Sequence, residues 1–258
     1  MLPPCHKNQR QLHLYPFSEC AMARNLSFRT LVFCTLALLL AGSSARADGL
    51  YYKLPEDKAW VKFDLEFTIA GVSGTGSLVM RSVGQTIEDG DKCRWIEMAL
   101  DMKLGDNGDH SVITKVLLPE KNLQKGKVPL ERLVRGWFKQ GDETKQLTDV
   151  TDPAVGALST FFCGPLMDAK TLEKQFTESK LGNLECEVVT GSLSQKIGET
   201  NLKVDFENHL NDKAPFGVVS SLLKFEGKQN DNSVVNGELR LKLVDTGTDA
   251  VSALPDHQ

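Results

Sequence analysis

From Trp60 to Ile69 the chain alternates strictly: Val61, Phe63, Leu65, Phe67 and Ile69 are apolar, and Lys62, Asp64, Glu66 and Thr68 between them are polar. Side chains on a strand point to opposite faces with period two, so the pattern predicts a half-buried strand with one greasy and one wet face. Similar alternation at 96–104, 202–206 and 239–243 supplies partners for an antiparallel sheet. Turn residues separate the early strands: Ala70 to Gly76 with three glycines, Glu88-Asp89-Gly90-Asp91 with an Asp-Gly suited to a tight hairpin, and Gly105 to His110. They bound strands near 77–87, 93–104 and 111–118, which with the first make a meander. Past Leu166 five more strands are predicted, near 174–180, 184–191, 201–208, 217–226 and 235–244, and the polar tail from Asp245 is expected to be loose.

Between the two sets of strands the period changes. Leu130, Leu133, Val134, Trp137 and Phe138 follow Pro129 at i, i+3, i+4, i+7 and i+8, which predicts an amphipathic helix. A second is predicted from Asp152-Pro153 as its start, Ala154, Val155, Leu158, Phe161 and Phe162 as its stripe, and Gly164-Pro165 as its stop. The fold class expected is therefore α+β, with an antiparallel sheet and about two amphipathic helices packed on its apolar face. No linker rich in Gly, Ser or Pro divides residues 48–258, so they read as a single domain.

The N-terminal segment changes the picture of where the protein goes. Residues 31–41 read LVFCTLALLLA, preceded by Arg24 and Arg29 and followed by Ala45-Arg46-Ala47. Positive region, apolar region and A-x-A site are the parts of a secretory signal peptide, and about eleven apolar residues fall short of the roughly twenty that span a bilayer. Cleavage after Ala47 is expected, with Met22 as the better start and residues 1–21 as a mis-called or disordered extension. The mature chain is then secreted or periplasmic and has no transmembrane anchor. Removing residues 1–47 takes away five basic residues and one acidic one, moving the formal charge from −4 to −8. An acidic chain without a compact Lys/Arg cluster is a poor partner for nucleic acid.

Candidate chemistry is sparse. Gly71-Val72-Ser73-Gly74-Thr75-Gly76 only grazes the G-x-S-x-G elbow, because Thr75 stands where the second glycine belongs. His110, His209 and His257 are isolated in sequence, and neither C-x-x-C nor H-E-x-x-H spacing occurs. No metal or cofactor is expected. Asp64 with Glu66, and Asp205 with Glu207, share strand faces opposite the apolar stripes and read as solvated residues. Phe63, Leu65, Phe67, Trp137, Phe138, Phe161 and Phe162 could line an apolar ligand, the alternative being that they are simply core. Past the signal, Cys93, Cys163 and Cys186 allow at most one internal bridge. Cys93–Cys186 is the preferred pair, since both follow turns near strand starts; three buried free thiols are the alternative.

Two stretches carry a resemblance. Asp89-Gly90-Asp91-Lys92-Cys93-Arg94-Trp95-Ile96-Glu97 resembles a strand of bacterial envelope proteins with the lipoprotein-carrier (LolA/LolB-like) fold, and Asn208-His209-Leu210 through Ala214-Pro215-Phe216-Gly217-Val218-Val219 is similar to a late corner of that group. The chain also resembles secreted proteins of planctomycete-type bacteria. The resemblance implies an open antiparallel half-barrel, helices plugging its concave face, and a capacity to hold a lipid or acyl chain. Three functions follow as expectations. The first is an exported non-enzymatic protein that binds or carries a lipid or other apolar ligand in the cell envelope. The second is an extracytoplasmic structural or interaction domain whose partner is another envelope protein. The third is a hydrolase.

Overall fold

The alternating stretch from Trp60 to Ile69 is strand β1, and it lies at the middle of the sheet. The computed structural model describes residues 52–105, 108–124, 127, 129–147, 167–197, 200–228 and 233–254. The extension, the signal segment, and the second predicted helix with Phe161, Phe162 and Cys163 lie outside the described residues. In chain order the other strands are β2 (Val72–Glu88), β3 (Asp91–Lys103), β4 (Asp109–Pro119), β5 (Arg135–Gln140), β6 (Glu143–Leu147), β7 (Met167–Thr171), β8 (Gln175–Ser179), β9 (Gly182–Ile197), β10 (Thr200–Leu210), β11 (Val218–Lys228) and β12 (Val234–Gly247). They form one sheet in the order β6-β5-β4-β3-β2-β1-β12-β11-β10-β9-β7, with β8 also on β9, and every described pair is antiparallel. The sheet is open. Two meanders run outward from the midline, and the first strand is joined to the last by the pairing of β1 with β12.

Among the described residues no helix packs on the apolar face, and the α+β class is corrected to a nearly all-antiparallel sheet. Of the segment read as the first helix, only Pro129–Glu131 makes a single 3-10 turn. Arg135–Gln140 is instead β5, between β4 and β6. The residues carried a second period. Gly136 and Phe138 alternate with Arg135, Trp137 and Lys139, and Gly136 disfavours a helix interior by about 1 kcal/mol relative to Ala while the aromatic pair favours a strand. Pairing satisfies the main chain of β4, which decides between the periods.

Cross-strand rows build the interior. Val112, Leu100, Leu78, Phe63 and Leu243 lie opposite one another across β4, β3, β2, β1 and β12. Phe67, Leu239, Leu223 and Phe206 form a second row across β1, β12, β11 and β10. The glycines after β1 do less turning than expected. The turn is Ala70-Gly71 alone, both at positive φ (51° and 80°), whereas Gly74 and Gly76 lie within β2. Gly74 faces Phe67 and Gly237 faces Phe225, and at each a Cβ would overlap the opposing ring. Gly247 carries the indole of Trp60 in the same way. An aromatic ring laid over a cross-strand glycine covers backbone that the glycine leaves bare.

The tail from Asp245, expected to be loose, is docked as far as Leu254. β12 continues to Gly247, the Trp60 indole N–H donates to Asp249 Oδ1 (2.8 Å), and Ala250 N–H donates to the Lys58 carbonyl (2.9 Å). Leu254 is buried.

Candidate functional site

The strongest candidate surface is the apolar inner face of the sheet. One continuous cluster runs from Val116 and Leu118 on β4, through Met98, Met80 and Phe63, to Val204 and Phe206 on β10 and Val189 and Leu193 on β9. Met80 and Met98 face each other directly, with Met102 four residues further along β3 on the same face. Unbranched thioethers fill irregular space and adapt to it, so this part of the interior is its most deformable lining. Few polar groups interrupt the face, and those with described bonds are satisfied. Ser221 Oγ donates to Asn208 Oδ1 at 2.6 Å. Arg94, at the end of the same face, is 4% exposed and donates to the Pro55 carbonyl, Ser82 Oγ and Glu120 Oε1. These bonds tie the lead-in residues and the 3-10 turn at Glu120–Asn122 to β3.

The residues singled out from sequence separate into two places. Phe63, Leu65 and Phe67 sit together in the interior, and Phe138 packs half-buried against the same cluster. Trp137 points the other way. It lies on the outer face beside Trp95, with ring centroids 5.3 Å apart, and Lys115 Nζ stands 5.3 Å from the Trp95 ring centre. That separation is a consequence of β5: residues neighbouring in sequence share a face on a helix but oppose each other on a strand.

Cys93 and Cys186 are both buried and free, so the preferred bridge is not formed. They belong to β3 and β9, well apart in strand order, and each has its own surroundings. Cys93 Sγ donates to the Asp91 carbonyl at 3.6 Å, whereas Cys186 lies with Thr177 beside it. Burial pushes both thiols up, with the Asp91 carboxylate adding to the effect at Cys93. At Cys93 the nearby Arg132 and Lys121 pull the other way without overcoming burial, so neither thiol is set up as a thiolate.

His209, isolated in sequence, gains partners through the fold. Its Nδ1 is 2.7 Å from Thr177 Oγ1 on β8 and its Nε2 is 3.2 Å from Glu207 Oε1 on β10. Hydroxyl, imidazole and carboxylate come into line, the order used in hydrolytic relays. Here the chain of bonds clips the β8 end of the sheet to β10. No sequence spacing announces it, because the hydroxyl lies 32 residues from the imidazole.

The outer face is charged and ordered. Asp64 faces Lys242, Glu66 faces Arg240, Asp205 faces Lys224, and Lys224 faces Glu238. The carboxylate pairs Asp64/Glu66 and Asp205/Glu207 are thus surface groups set among opposite charges. A depression of about 620 Å³ over Lys203, Asp205, Lys224 and Glu238 is lined by both signs and favours neither. At the β2–β3 hairpin, Asp91 accepts from Lys121 (2.8 Å) and Arg132 (3.0 Å), Asp89 accepts from Arg132, and Arg135 pairs with Glu88. The Lys121 hydrogen bond, with Arg132 behind it, holds the Asp91 carboxyl below its usual range.

Sequence reasoning missed one constellation altogether. Arg81, Glu97 and Lys115 are directly opposite one another on β2, β3 and β4, and Glu97 and Lys115 are 0% and 1% exposed although they lie on the outer face. Read locally, they are three charges at wet positions. What buries them is the tail, some 140 to 155 residues away in sequence.

Among the described residues no helix is long and apolar enough to cross a membrane. No protein-family model matches the chain, and no curated protein sequence matches it. Solved structures do resemble it, at low identity. A Parabacteroides distasonis protein provisionally designated a lipoprotein shares 8% identity, covering 78% of this chain and 100% of its own, with a TM-score of 0.33. A Bacteroides fragilis protein with a YmcC-like fold, provisionally designated as exported, shares 9% over 77% and 99%, with a TM-score of 0.32. A DUF1329 family protein from Desulfovibrio piger shares 7% over 90% and 95%, with a TM-score of 0.30. Neither the lipoprotein-carrier resemblance nor the planctomycete one is carried by these matches, and at such scores no ligand or activity transfers from them.

Proposed function

We propose that the chain is an exported, non-enzymatic binding protein whose apolar interior takes up the acyl part of a lipid or another apolar ligand of the cell envelope. The observation that carries this reading is the single apolar cluster running from β4 to β9 with a methionine-lined stretch at Met80, Met98 and Met102. A wide, adaptable, greasy face gains from an aliphatic chain by the same burial that stabilises the core, roughly 0.8 kcal/mol per methylene removed from water. The signal-like segment supports an exported protein, one that would meet such ligands in the cell envelope. The test is native mass spectrometry of the gently purified protein, followed by titration with a fluorescent fatty acid. Co-purifying acyl lipid, or saturable uptake that weakens in a Met98→Asp variant still showing the wild-type sheet signal, supports the reading. A protein that stays empty and ignores the probe overturns it in favour of an interaction domain.

A further inference from the structure

The row Arg81–Glu97–Lys115 is built like a receptor for main chain. Arg81 Nη1 donates to Glu97 Oε1 (2.9 Å), orienting the carboxylate. Both Glu97 oxygens then accept from Ala253 N–H (3.0 and 2.9 Å), and Oε2 also accepts from Leu254 N–H at 3.2 Å. Lys115 Nζ donates to the Leu254 carbonyl at 3.3 Å. Ser252 Oγ lies 2.7 Å from Glu97 Oε2 and 2.6 Å from the Leu254 carbonyl, and its one proton serves either acceptor. Leu254, 2% exposed, is outside the interior cluster, so its side chain is buried on the outer side of the sheet.

A carboxylate and an ammonium, both almost fully buried and both aimed at peptide N–H and C=O groups, are an expensive way to fasten a tail. Desolvating such ions is costly before their contacts offset it, and here the offsetting contacts are made to main-chain groups. What the charged pair adds is recognition of the main chain of a bent segment, which turns two successive N–H groups to one carboxylate and a carbonyl to the ammonium, supplemented by a hydroxyl position and a branched apolar one.

We propose that this slot is a peptide-binding site. Its resident occupant is the chain's own strap, residues 252–254, and it takes a similarly bent segment of a partner protein, a hydroxyl or small residue followed by a small and then a branched apolar one, when the strap is out. The reading is independent of the lipid proposal, since slot and interior lie on opposite faces of the sheet.

The experiment uses the full chain and a fluorescein-labelled peptide of residues 248–258. Ala253→Pro removes an N–H that Glu97 accepts while leaving the slot intact; Leu254→Asp is the second release variant. Hydrogen exchange in β1 reports whether the sheet is preserved. Saturable anisotropy is expected for the release variants, at least tenfold weaker binding to wild type, whose slot is filled, and at least tenfold weaker binding once Glu97→Gln is added to a release variant. A release variant with a protected β1 that binds no peptide, or binding indifferent to Glu97→Gln, overturns the proposal. So does loss of β1 protection in both release variants, because the strap is then inseparable from the fold.

Discussion

Burial, joined at Cys93 by the Asp91 carboxylate, pushes the Cys93 and Cys186 thiols up, so a reagent that needs the thiolate finds little of it at either residue. Alkylation of the native, unreduced protein near pH 8, mapped by peptide mass, should leave both unlabelled, and denaturant without reductant should expose both at once. A bridged pair would stay unlabelled in denaturant until reduced. Asp91 gives a second residue-level test. Its carboxyl is held low by Lys121, so near the ordinary carboxylate pKa of about 3.9 the folded chain is already ionised while the unfolded chain still binds a proton. The interaction therefore stabilises above that pKa and is lost as pH falls through the folded value. Asp91→Asn should leave thermal unfolding nearly unchanged in acid below that value and lower the midpoint slightly at neutral pH, the effect being small because the group is exposed. Single residues were also where the sequence was least informative. Glu97 and Thr68 look alike as polar members of alternating strands, yet one is sealed under a distant tail and the other faces water.

Strands were legible wherever alternation and turn chemistry agreed. β1 has the limits its pattern predicts, and Asp89-Gly90 forms the tight turn between β2 and β3 with both residues at positive φ. The misreading at 130–138 arose because a short apolar run fits two periods, and the neighbour that settles it, the main chain of β4, is not visible in the run itself. Glycine was the other ambiguous sign. Gly74 and Gly76 look like turn formers in sequence, whereas in the sheet they, like Gly237, make room for aromatic rings and neighbouring backbone. Gly237→Ala should therefore destabilise by about 1–3 kcal/mol through overpacking against Phe225, and adding Phe225→Leu should recover part of the loss. Chemical denaturation of the single and double variants measures both. Full additivity of the two losses would mean that ring and glycine are not coupled.

At the scale of the molecule, two meanders meet at their first and last strands, and that junction was implied by the shared alternation of 60–69 and 239–243 but not fixed by it. Neighbouring hairpins are local, whereas Phe63 and Leu243 must meet across nearly the whole chain. Long-range pairing of this kind slows folding, and refolding in milliseconds to seconds is expected by stopped-flow fluorescence. A chain ending after residue 232 should fail to form a protease-resistant domain, because β1 and β11 would each lose a partner. In most sheets erosion from a chain end frays an edge and spares the centre. Here the last-made strand is the keystone, so trimming that reaches β12 opens the molecule along its middle: intact or split in two, with little stable ground between.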